Sequence, residues 1–486
     1  MQKFYLVFNK LSFWLVLLLI ILIPLYPKFP LLNVANTYVA IRIEDLFILL
    51  VLFIWFLGHF KKIKNYLSQT IFQSFLLFWI IGILSLFSAF FITYFVFPHI
   101  AILHWLRRVE YMSLFIVAAT SISNQNQVKL FTKVLFTVAL FVILYGFGQI
   151  WLDFPVISTT NKEFSKGLIL YLTNGARVNS TFAGHYDLAA YLSIVLVIIA
   201  STFFYYKDNF TKLDHIKSWL AKLSIVITGF LGFVLLGFTA ARISFVAVIA
   251  GLSMVFWMSK KKILVFVLFL LAIGLLAAVP DLRHRFVATL TVNLMGGGGA
   301  KYTPPDNKIT IFTPGLSEPQ KVELRKQALL DATNSATKSS MAVDTVPGEP
   351  INTTELGVYR SFGIRFDVEW PRAINAFLKN PFLGTGYSSI AIATDNDILR
   401  SLGEVGILGT LALGLIFFIL IKKMLIFIPK NHGFERQFII GVFCSIVALG
   451  INSTFIDVLE ASKVAEIFWL ILGVSWAVLN NYDQTN

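Results

Sequence analysis

The sequence predicts an all-α polytopic membrane protein with about 12 transmembrane helices and one large, partly helical outer loop. Of its 486 residues, 57% are hydrophobic and only 14% are charged, which is too apolar for a water-soluble protein of this length. Apolar stretches of roughly 16 to 24 residues recur along the chain, and about 20 helical residues cross the hydrocarbon core of a bilayer. Continuous apolar runs such as residues 11–25 exclude the alternating strands of an outer-membrane barrel.

Twelve spans are predicted, each bounded by charged or turn-forming residues that interrupt an apolar run. The first is longer and poorer in small residues than a cleaved signal peptide, so we expect it to be retained. In chain order the spans cover approximately residues 11–26, 44–59, 70–95, 109–123, 128–151, 185–206, 221–239, 243–259, 263–279, 398–421, 435–454 and 464–480.

Lysine clusters in the short connections set the expected orientation. With the N-terminus in the cytoplasm, nearly every cluster, from Lys61 and Lys62 to the run of lysines at 260–262, falls on the cytoplasmic side. Both termini are then cytoplasmic, and two long connections, approximately 152–184 and 280–397, face outward. Topology therefore explains most of the formal net charge of +14, and we expect no nucleic-acid partner.

Three parts follow from this topology. Residues 1–279 carry helices one to nine with the outer loop at about 152–184, residues 280–397 form the large loop domain, and residues 398–486 carry the last three helices. The loop domain alone has the composition of a soluble domain. A weak helical pattern covers residues 319–337, and a second helix is expected at about 364–378, ending before Asn380 and Pro381.

Several classes of chemistry have no support in the sequence. The single cysteine, Cys444, excludes an internal disulfide and a cysteine-based metal site. Dinucleotide-binding, phosphate-loop, zinc-protease and nucleophile-elbow motifs are missing as well. We therefore predict neither a metal nor a cofactor.

Arg242 is one of the outward charges that topology does not explain. It lies in the short hairpin 239–244 between two strongly apolar helices. An arginine there either extends along the helix to lipid head groups or reaches into a site, and the positive-inside rule makes its outer position unusual.

A second group of outward polar residues opens the sixth span. Asn179 can cap the helix, but capping does not explain Arg177 and His185 at the same rim, which are either solvated loop residues or part of a site.

The densest polar pattern lies at the end of the large loop. It contains Trp370, then Gly384 and Gly386, which permit backbone conformations that other residues resist. Asp395, Asn396 and Asp397 follow directly before a span and are either helix caps or site residues. Glu404 is predicted about two turns inside that span, where a charge is costly.

The order, spacing and shared side of these segments resemble the O-antigen ligase and O-antigen polymerase superfamily of bacterial inner-membrane enzymes. The resemblance is strongest over residues 365–409, and it extends to residues 177–191 and to the hairpin 239–244. Ligases of this superfamily usually carry a histidine before the asparagine of the loop motif, where this chain has Asp395, and the hairpin has Ala241 where serine is common.

This resemblance implies a metal-independent glycosyltransferase of the bacterial inner membrane whose active site faces the periplasm. Its donor would be a glycan linked to undecaprenyl diphosphate, and its acceptor a sugar hydroxyl on a lipid or glycan, in the synthesis of lipopolysaccharide or another cell-envelope polysaccharide. Membrane lipids surround such an enzyme. A multi-helix transporter or flippase of lipid-linked glycans is the alternative, because about twelve helices is also a common transporter count.

Residue roles follow from the same resemblance and from the chemistry of diphosphate departure. Guanidinium groups bind a diphosphate bidentately, which favours Arg242 and Arg365 as catalytic residues. Asp395 is expected to accept the proton of the acceptor hydroxyl, with Asp397 or His185 as alternatives. The substrate-binding candidates are Arg177, Asn179, His185, Arg360, Trp370, Gly384, Gly386, Asn396, Asp397 and Glu404.

Overall fold

The chain forms an all-α membrane protein, as the sequence predicts. The computed structural model describes residues 2–27, 30–33, 40–93, 96–156, 170–173, 176–208, 215–295, 349–350, 352–390 and 393–485, and about 82% of these residues are helical. A two-stranded antiparallel hairpin, β1 (Pro30–Asn33) and β2 (Ala40–Arg42), follows the first helix.

Eleven α-helices lie between residues 2 and 295 of the described chain. They are α1 (Gln2–Leu25), α2 (Ile43–His59), α3 (Ile63–Leu67), α4 (Thr70–Ser88), α5 (Pro98–Ser121), α6 (Gln125–Trp151), α7 (His185–Asp208), α8 (His215–Phe238), α9 (Arg242–Met258), α10 (Ile263–Ala278) and α11 (Pro280–Leu294).

Five further helices complete the described part of the chain. The π-helical turns Tyr359–Gly363 and Arg365–Glu369 join the first two of them. The five are α12 (Thr353–Val358), α13 (Trp370–Lys379), α14 (Asp397–Lys430), α15 (Gly433–Asn452) and α16 (Ser462–Thr485).

Eight helices of the described chain are long and apolar enough to cross a membrane, so the protein is multi-pass. Helices α10 and α11 would form a ninth span if their pair, bent by 97°, crosses as one unit. The stretch Lys222–Phe238 of α8 and helix α9 are apolar but shorter. Helix α5 contains Arg107, Arg108 and Glu110, which lower its hydropathy. The count of twelve spans therefore stays a prediction.

The centre of the bundle consists of α7, α15 and α16. The apolar stretch of α16 is 100% buried and that of α7 is 83% buried, whereas α2 is only 22% buried. Glycines permit the closest contacts: a Cβ on Gly473 of α16 would lie 2.4 Å from the carbonyl oxygen of Phe115 in α5. A Cβ on Gly441 of α15 would lie 3.0 Å from the Cα of Ile198 in α7. Small residues bring these helices together as is typical of membrane bundles.

The beginning and the end of the chain lie at the same end of the bundle. The side-chain amides of Asn9 in α1 and Asn481 in α16 both donate to Ser123, to its hydroxyl at 3.1 Å and to its carbonyl at 3.4 Å. The opposite ends of the same two helices also meet, because Lys463 Nζ donates to the carbonyl oxygen of Pro24 at 3.3 Å. An even number of membrane crossings would place the beginning and the end of the chain at the same end of the bundle in this way.

Two compact units divide the chain. The first comprises Met1–Arg283 and Glu369–Asn486, and the second comprises His284–Val368. The predicted loop domain, 280–397, thus contains the second unit together with residues 280–283 and 369–397, which belong to the first. The helix expected at 364–378 begins earlier, since the described chain is helical from Thr353 to Lys379, and it ends before Asn380 as expected. The helix predicted at 319–337 lies outside the described residues.

Candidate functional site

Helix α14 is broken near its beginning, at the position where the sequence places Glu404. Gly406 has φ 67° and ψ −170°, a conformation that is essentially restricted to glycine. A Cβ at Gly406 would lie 2.4 Å from the carbonyl carbon of Phe382, and one at Gly384, which has φ 68°, would lie 2.4 Å from that of Glu404. The break in α14 and the loop that contains Gly384 therefore pack so closely that both need a glycine at the point of contact.

The loop that follows α13 takes up the backbone groups that the break leaves without helical partners. The amides of Thr385 and Gly386 donate to the carbonyl oxygens of Gly403 and Glu404, both at 2.9 Å. The amide of Ile407 donates in turn to Pro381 at 2.8 Å. This pairing is needed because an unpaired peptide group inside a membrane costs several kcal/mol. Gly384 and Gly386 are thus placed beside Glu404, and their role there is to hold the broken helix.

The connection between α15 and α16, which we call the α15–α16 loop (residues 453–461), packs against the segment before α14. Asp457 of this loop accepts hydrogen bonds from three successive amides, those of Thr394, Asp395 and Asn396, at 2.8 to 3.0 Å. Asp395 has φ 51°, in the left-handed region that aspartate tolerates better than most residues. Asp457 therefore fixes the turn on which the predicted base lies.

Asp397 makes the reciprocal contact. Its carboxylate accepts from the amides of Val458 at 3.0 Å and Leu459 at 3.2 Å, while its own amide donates to Ser453 at 2.9 Å. Asn396 caps α14 by accepting from the amide of Leu399 at 2.9 Å. Each segment thus supplies a carboxylate to the backbone of the other. Capping accounts for the side chain of Asn396, whereas the side chain of Asp397 bonds to the α15–α16 loop.

Two arginines compensate the carboxylates of this region, and Arg400 is buried whereas Arg108 is half-buried. Arg400 Nη2 lies 3.0 Å from Asp457 Oδ2, and its Nη1 lies 3.4 Å from Glu404 Oε1 and 3.8 Å from Glu460 Oε1. Arg108 of α5 pairs with Glu460 and donates to the carbonyl oxygen of Leu459 at 3.1 Å. Arg400 and Glu404 have side chains only 2% and 3% exposed, so the charge of Arg400 is compensated by its carboxylate partners and not by water.

Glu460 illustrates how strongly these charges interact. Burial alone raises the pKa of its carboxyl group, but the guanidinium groups of Arg108 and Arg400 outweigh that effect and hold the pKa below its usual range. Glu460 is therefore ionised at neutral pH and belongs to a network in which Arg108 and Arg400 face several carboxylates. Such a network is already compensated, which makes it a scaffold rather than a binding site for an anion.

The sixth-span segment reaches the same region through Lys463. This lysine, in the first turn of α16, is 1% exposed; its Nζ donates to the carbonyl oxygen of Thr181 at 2.6 Å and lies 5.2 Å from the ring centre of Phe182. On either side of Thr181 in the sequence, Arg177 and His185 also contact each other, with Arg177 Nη1 3.1 Å from His185 Nε2, and both side chains are half-buried. Asn179 is buried and donates to the carbonyl oxygen of Phe182 at 3.1 Å, as a turn-forming residue does.

The hairpin before α9 also reaches this region. Ser244 Oγ donates to Asn452 Oδ1 at 2.7 Å, and Asn452 is the last residue of α15, directly before the α15–α16 loop. Arg242 is the first residue of α9, follows a turn in which Ala240 has φ 51°, and is half-buried. Trp370 approaches the loop from α13, with its ring 5.5 Å from that of Phe455.

Two predicted arginines belong to the other compact unit. Arg360 forms an ion pair with Glu349, with Nη2 2.9 Å from Oε2, and Arg365 is buried at the start of the second π-helical turn. The segments of the first unit that carry predicted residues therefore contact the α15–α16 loop or the residues that flank it. Arg360 and Arg365 lie in the second unit.

Four residues that hold this region together were not predicted from the sequence, namely Arg400, Asp457, Glu460 and Lys463, and no role was predicted for Arg108. The sequence did contain a signal for these four residues. Each is a charged residue within an apolar span or between two of them, where a charge normally has a partner. The partners lie up to 352 residues apart, so the sequence could not pair them.

Among the described residues, no group of three or more His, Cys, Asp and Glu side chains is arranged to hold a metal ion. No protein-family model matches the chain, and no curated protein matches it either.

Proposed function

We propose that this chain is a membrane glycosyltransferase of the O-antigen ligase and polymerase type. It would transfer a glycan from undecaprenyl diphosphate to a sugar hydroxyl of a lipid or glycan acceptor. One observation carries the proposal: three segments that are far apart in sequence, 177–187, 239–244 and 394–404, all contact the α15–α16 loop or the residues that flank it, through Lys463, Asn452 and Asp457. These are the segments on which the sequence resemblance rests.

The proposed roles differ between the rim and the interior of this region. Arg242 and Arg177 are half-buried, so they can both be reached from solvent and be held in place, as binding of a departing diphosphate requires. Arg365 is assigned to the diphosphate by the resemblance. Asp395 is half-buried on a turn that Asp457 fixes, and it would accept the proton of the acceptor hydroxyl.

The energy for such a transfer comes from the glycosyl diphosphate bond of the donor. The bond between the anomeric carbon and the diphosphate oxygen breaks, a bond to the acceptor oxygen forms, the acceptor proton passes to Asp395, and the diphosphate leaves as an anion. The enzyme would lie in the bacterial cytoplasmic membrane, with both termini inside and the α15–α16 loop facing outward.

Substitution of Arg242 by alanine tests this function. With purified protein in nanodiscs and a glycan on undecaprenyl diphosphate, we expect the R242A rate to fall at least ~100-fold, since charge stabilisation of a leaving oxyanion is worth a few kcal/mol. Arg372→Ala is the matched control, because Arg372 is exposed on α13. Equal rates for wild type, R242A and R372A would remove Arg242 from the mechanism, and the absence of transfer by wild type would reject the enzyme.

A strain that lacks the chain separates the two acceptor types. Loss of long glycan chains indicates a polymerase, whereas full-length chains that accumulate on the carrier lipid indicate a ligase.

A transporter of lipid-linked glycans is the second candidate, and the break in α14 is the observation that favours it. Transporters often bind substrate at the unwound part of a broken helix. Here the carbonyl groups of Gly403 and Glu404 at the break are already bonded to Thr385 and Gly386, which leaves them less available to a substrate. Movement of a labelled lipid-linked glycan across proteoliposomes, without transfer to an acceptor, would favour transport.

A further inference from the structure

A cavity of about 330 Å³, which we call the α8–α10 cleft, lies among α7, α8, α9 and α10, and every residue that lines it is apolar. Its floor includes buried residues such as Leu196 of α7 and Leu252 of α9. Phe230 of α8 and Leu271 of α10 also line it but are 53% and 45% exposed. The cleft therefore opens between α8 and α10, toward the hydrocarbon chains of the surrounding bilayer.

The α8–α10 cleft has the depth of one leaflet. Along α8 its lining runs from Ile225 to Phe233, which is about 12 Å at a rise of 1.5 Å per residue. One leaflet supplies about 15 Å, half of the ~30 Å hydrocarbon core. Gly229 lies in the middle of this stretch, where a Cβ would be 3.5 Å from Ile199, so the missing side chain leaves room between α7 and α8. The dimensions suit one acyl chain that enters from one membrane surface.

Lysines lie at one end of the cleft. The amide of Lys261 donates to the carbonyl oxygen of Phe256 at 2.8 Å, and the amide of Leu264 donates to the carbonyl oxygen of Lys261 at 3.0 Å. Both Phe256 and Leu264 line the cleft. The turn between α9 and α10, with its exposed residues Lys260 and Lys261, therefore directly adjoins the end of the cleft that lies opposite the hairpin 239–244.

The charge at this end has one sign. Lys222 of α8 precedes Gly229 by seven residues, which is about two helical turns, so it lies on the face of α8 that lines the cleft. From residue 215 to residue 280 the chain contains five lysines and one arginine but no aspartate or glutamate. Clustered lysines at a membrane surface attract the head groups of anionic lipids.

Two exposed tryptophans mark the level of the lipid head groups. Trp257 follows the lining residue Phe256, and Lys262 Nζ lies 4.4 Å from the centre of its ring. Trp219 of α8 lies one turn before Lys222. Tryptophan is enriched where hydrocarbon meets head groups. The lysines are thus at the membrane surface, and the cleft begins directly below them.

We propose that the α8–α10 cleft binds an anionic glycerophospholipid, with one acyl chain between α8 and α10 and the phosphate beside Lys222, Lys260 and Lys261. The proposed orientation places this lipid in the cytoplasmic leaflet, and its binding is independent of glycan transfer. Another cavity, of about 340 Å³ among α14, α15 and α16, has the carboxylate of Asp397 in its lining and neither lysine nor arginine, so it does not suit such a lipid.

Native mass spectrometry of the full chain in detergent, titrated with phosphatidylglycerol or with phosphatidylcholine of the same chain length, tests the head-group contact. We expect wild type to bind phosphatidylglycerol at least ~10-fold more tightly than phosphatidylcholine. Lys260→Gln combined with Lys261→Gln should remove this preference. Lys61→Gln combined with Lys64→Gln is the matched control, at two exposed lysines before and within α3, and should bind as wild type does.

Filling the cleft tests the position of the acyl chain. Gly229→Phe places a ring in the middle of the cleft, and we expect it to weaken phosphatidylglycerol binding at least ~10-fold, the value of about two buried methylene groups. Gly274→Phe is the matched control, because Gly274 of α10 is exposed and a Cβ there would meet no heavy atom within 4 Å. This variant should bind as wild type does.

Equal affinities of wild type for the two phospholipids would overturn the proposal, because the lysines would then not recognise the head group. Equal binding of phosphatidylglycerol by wild type and G229F would overturn it as well, because the acyl chain would lie elsewhere. Tighter binding of undecaprenyl phosphate than of phosphatidylglycerol, lost in G229F, would assign the cleft to a polyprenyl lipid and contradict the proposal.

A photoreactive lipid keeps the test decisive should the phenylalanine variant not fold. Wild-type protein in nanodiscs is irradiated with phosphatidylglycerol that carries a diazirine on one acyl chain. Preferential labelling of peptides that contain Phe230 or Leu271 supports the proposal. The same labelling by a diazirine derivative of phosphatidylcholine, or labelling confined to α14, α15 and α16, contradicts it.

Discussion

Asp397 and Asp457 each hold the backbone of the segment on which the other lies. Three amides before α14 point at Asp457, and two amides of the α15–α16 loop point at Asp397. Both carboxylates therefore position the backbone of a neighbouring segment. Asp397 is buried and Asp395 is half-buried, so Asp395 is the acid of this turn that an acceptor hydroxyl reaches more readily.

The carboxylate of Glu460 is expected to contribute to stability through its ion pair with Arg108. Removing its charge by Glu460→Gln leaves Arg108 without its carboxylate partner, and we expect the free energy of unfolding at neutral pH to fall by about 3 kcal/mol, the low end for a buried pair. The low end applies because the Glu460 side chain is 22% exposed. Thermal or denaturant unfolding in nanodiscs measures the change, and Asp367→Asn, at an exposed position, is the control.

The same pair predicts a dependence on pH. Because the folded-state pKa of Glu460 is below the unfolded value, its contribution is fully present above roughly pH 4.3, the ordinary glutamate pKa, and is lost as the pH falls further through the folded pKa. We expect wild type to lose more stability than E460Q on acidification below that value. Parallel pH profiles for the two proteins would contradict the assignment.

The break in α14 is expected to require glycine at position 406. Gly406→Ala places a Cβ 2.4 Å from the carbonyl carbon of Phe382 and forces a backbone conformation that alanine avoids. Strain of this kind costs about 1–3 kcal/mol before the clash is counted, so we expect a loss of more than ~3 kcal/mol in unfolding free energy. The loop 381–386 would separate from α14, which increased hydrogen exchange at its amides would report.

Gly414→Ala is the control for that substitution. It lies in the same helix two turns later, where a Cβ meets no heavy atom within 4 Å, and alanine has the higher helix propensity. We expect G414A to be as stable as wild type or slightly more so. If G406A and G414A behave alike, the glycine at the break is not required.

The expected orientation of the protein in the membrane can be tested by cysteine labelling. Asp153, after α6, and Lys261, between α9 and α10, are both exposed. They lie at opposite ends of the bundle, because α6 ends near Ser180, whereas α9 begins at the hairpin 239–244 and runs away from that hairpin. In a chain with Cys444→Ser, we expect Asp153→Cys to react with an impermeant maleimide added to intact cells. Lys261→Cys should react only after the membrane is opened.

The reverse labelling pattern would place the α15–α16 loop in the cytoplasm. An enzyme that receives lipid-linked glycans on the outer side of the membrane would then be excluded. Labelling of both positions in intact cells would show that the two loops do not lie on opposite sides.

The sequence by itself determined the membrane-embedded, all-helical class and the approximate position of each apolar helix. The physical reason is that apolar length, turn residues and the effect of Pro381 on Asn380 act over a few neighbouring residues. For the same reason, residues 384–404 could be recognised as unusual before their partners were known, because glycines and an intramembrane glutamate are anomalous on their own.

Only the tertiary structure decided what those residues contact. The break at Gly406 within the predicted span 398–421, the continuation of that helix to Lys430, and the exchange between Asp397 and Asp457 depend on segments that are distant in sequence. The ion pairs of Arg108 and Arg400 likewise join helices whose relative placement results from packing of the whole bundle. A charge in a membrane requires a partner, and the sequence shows that requirement, but three-dimensional packing selects the partner.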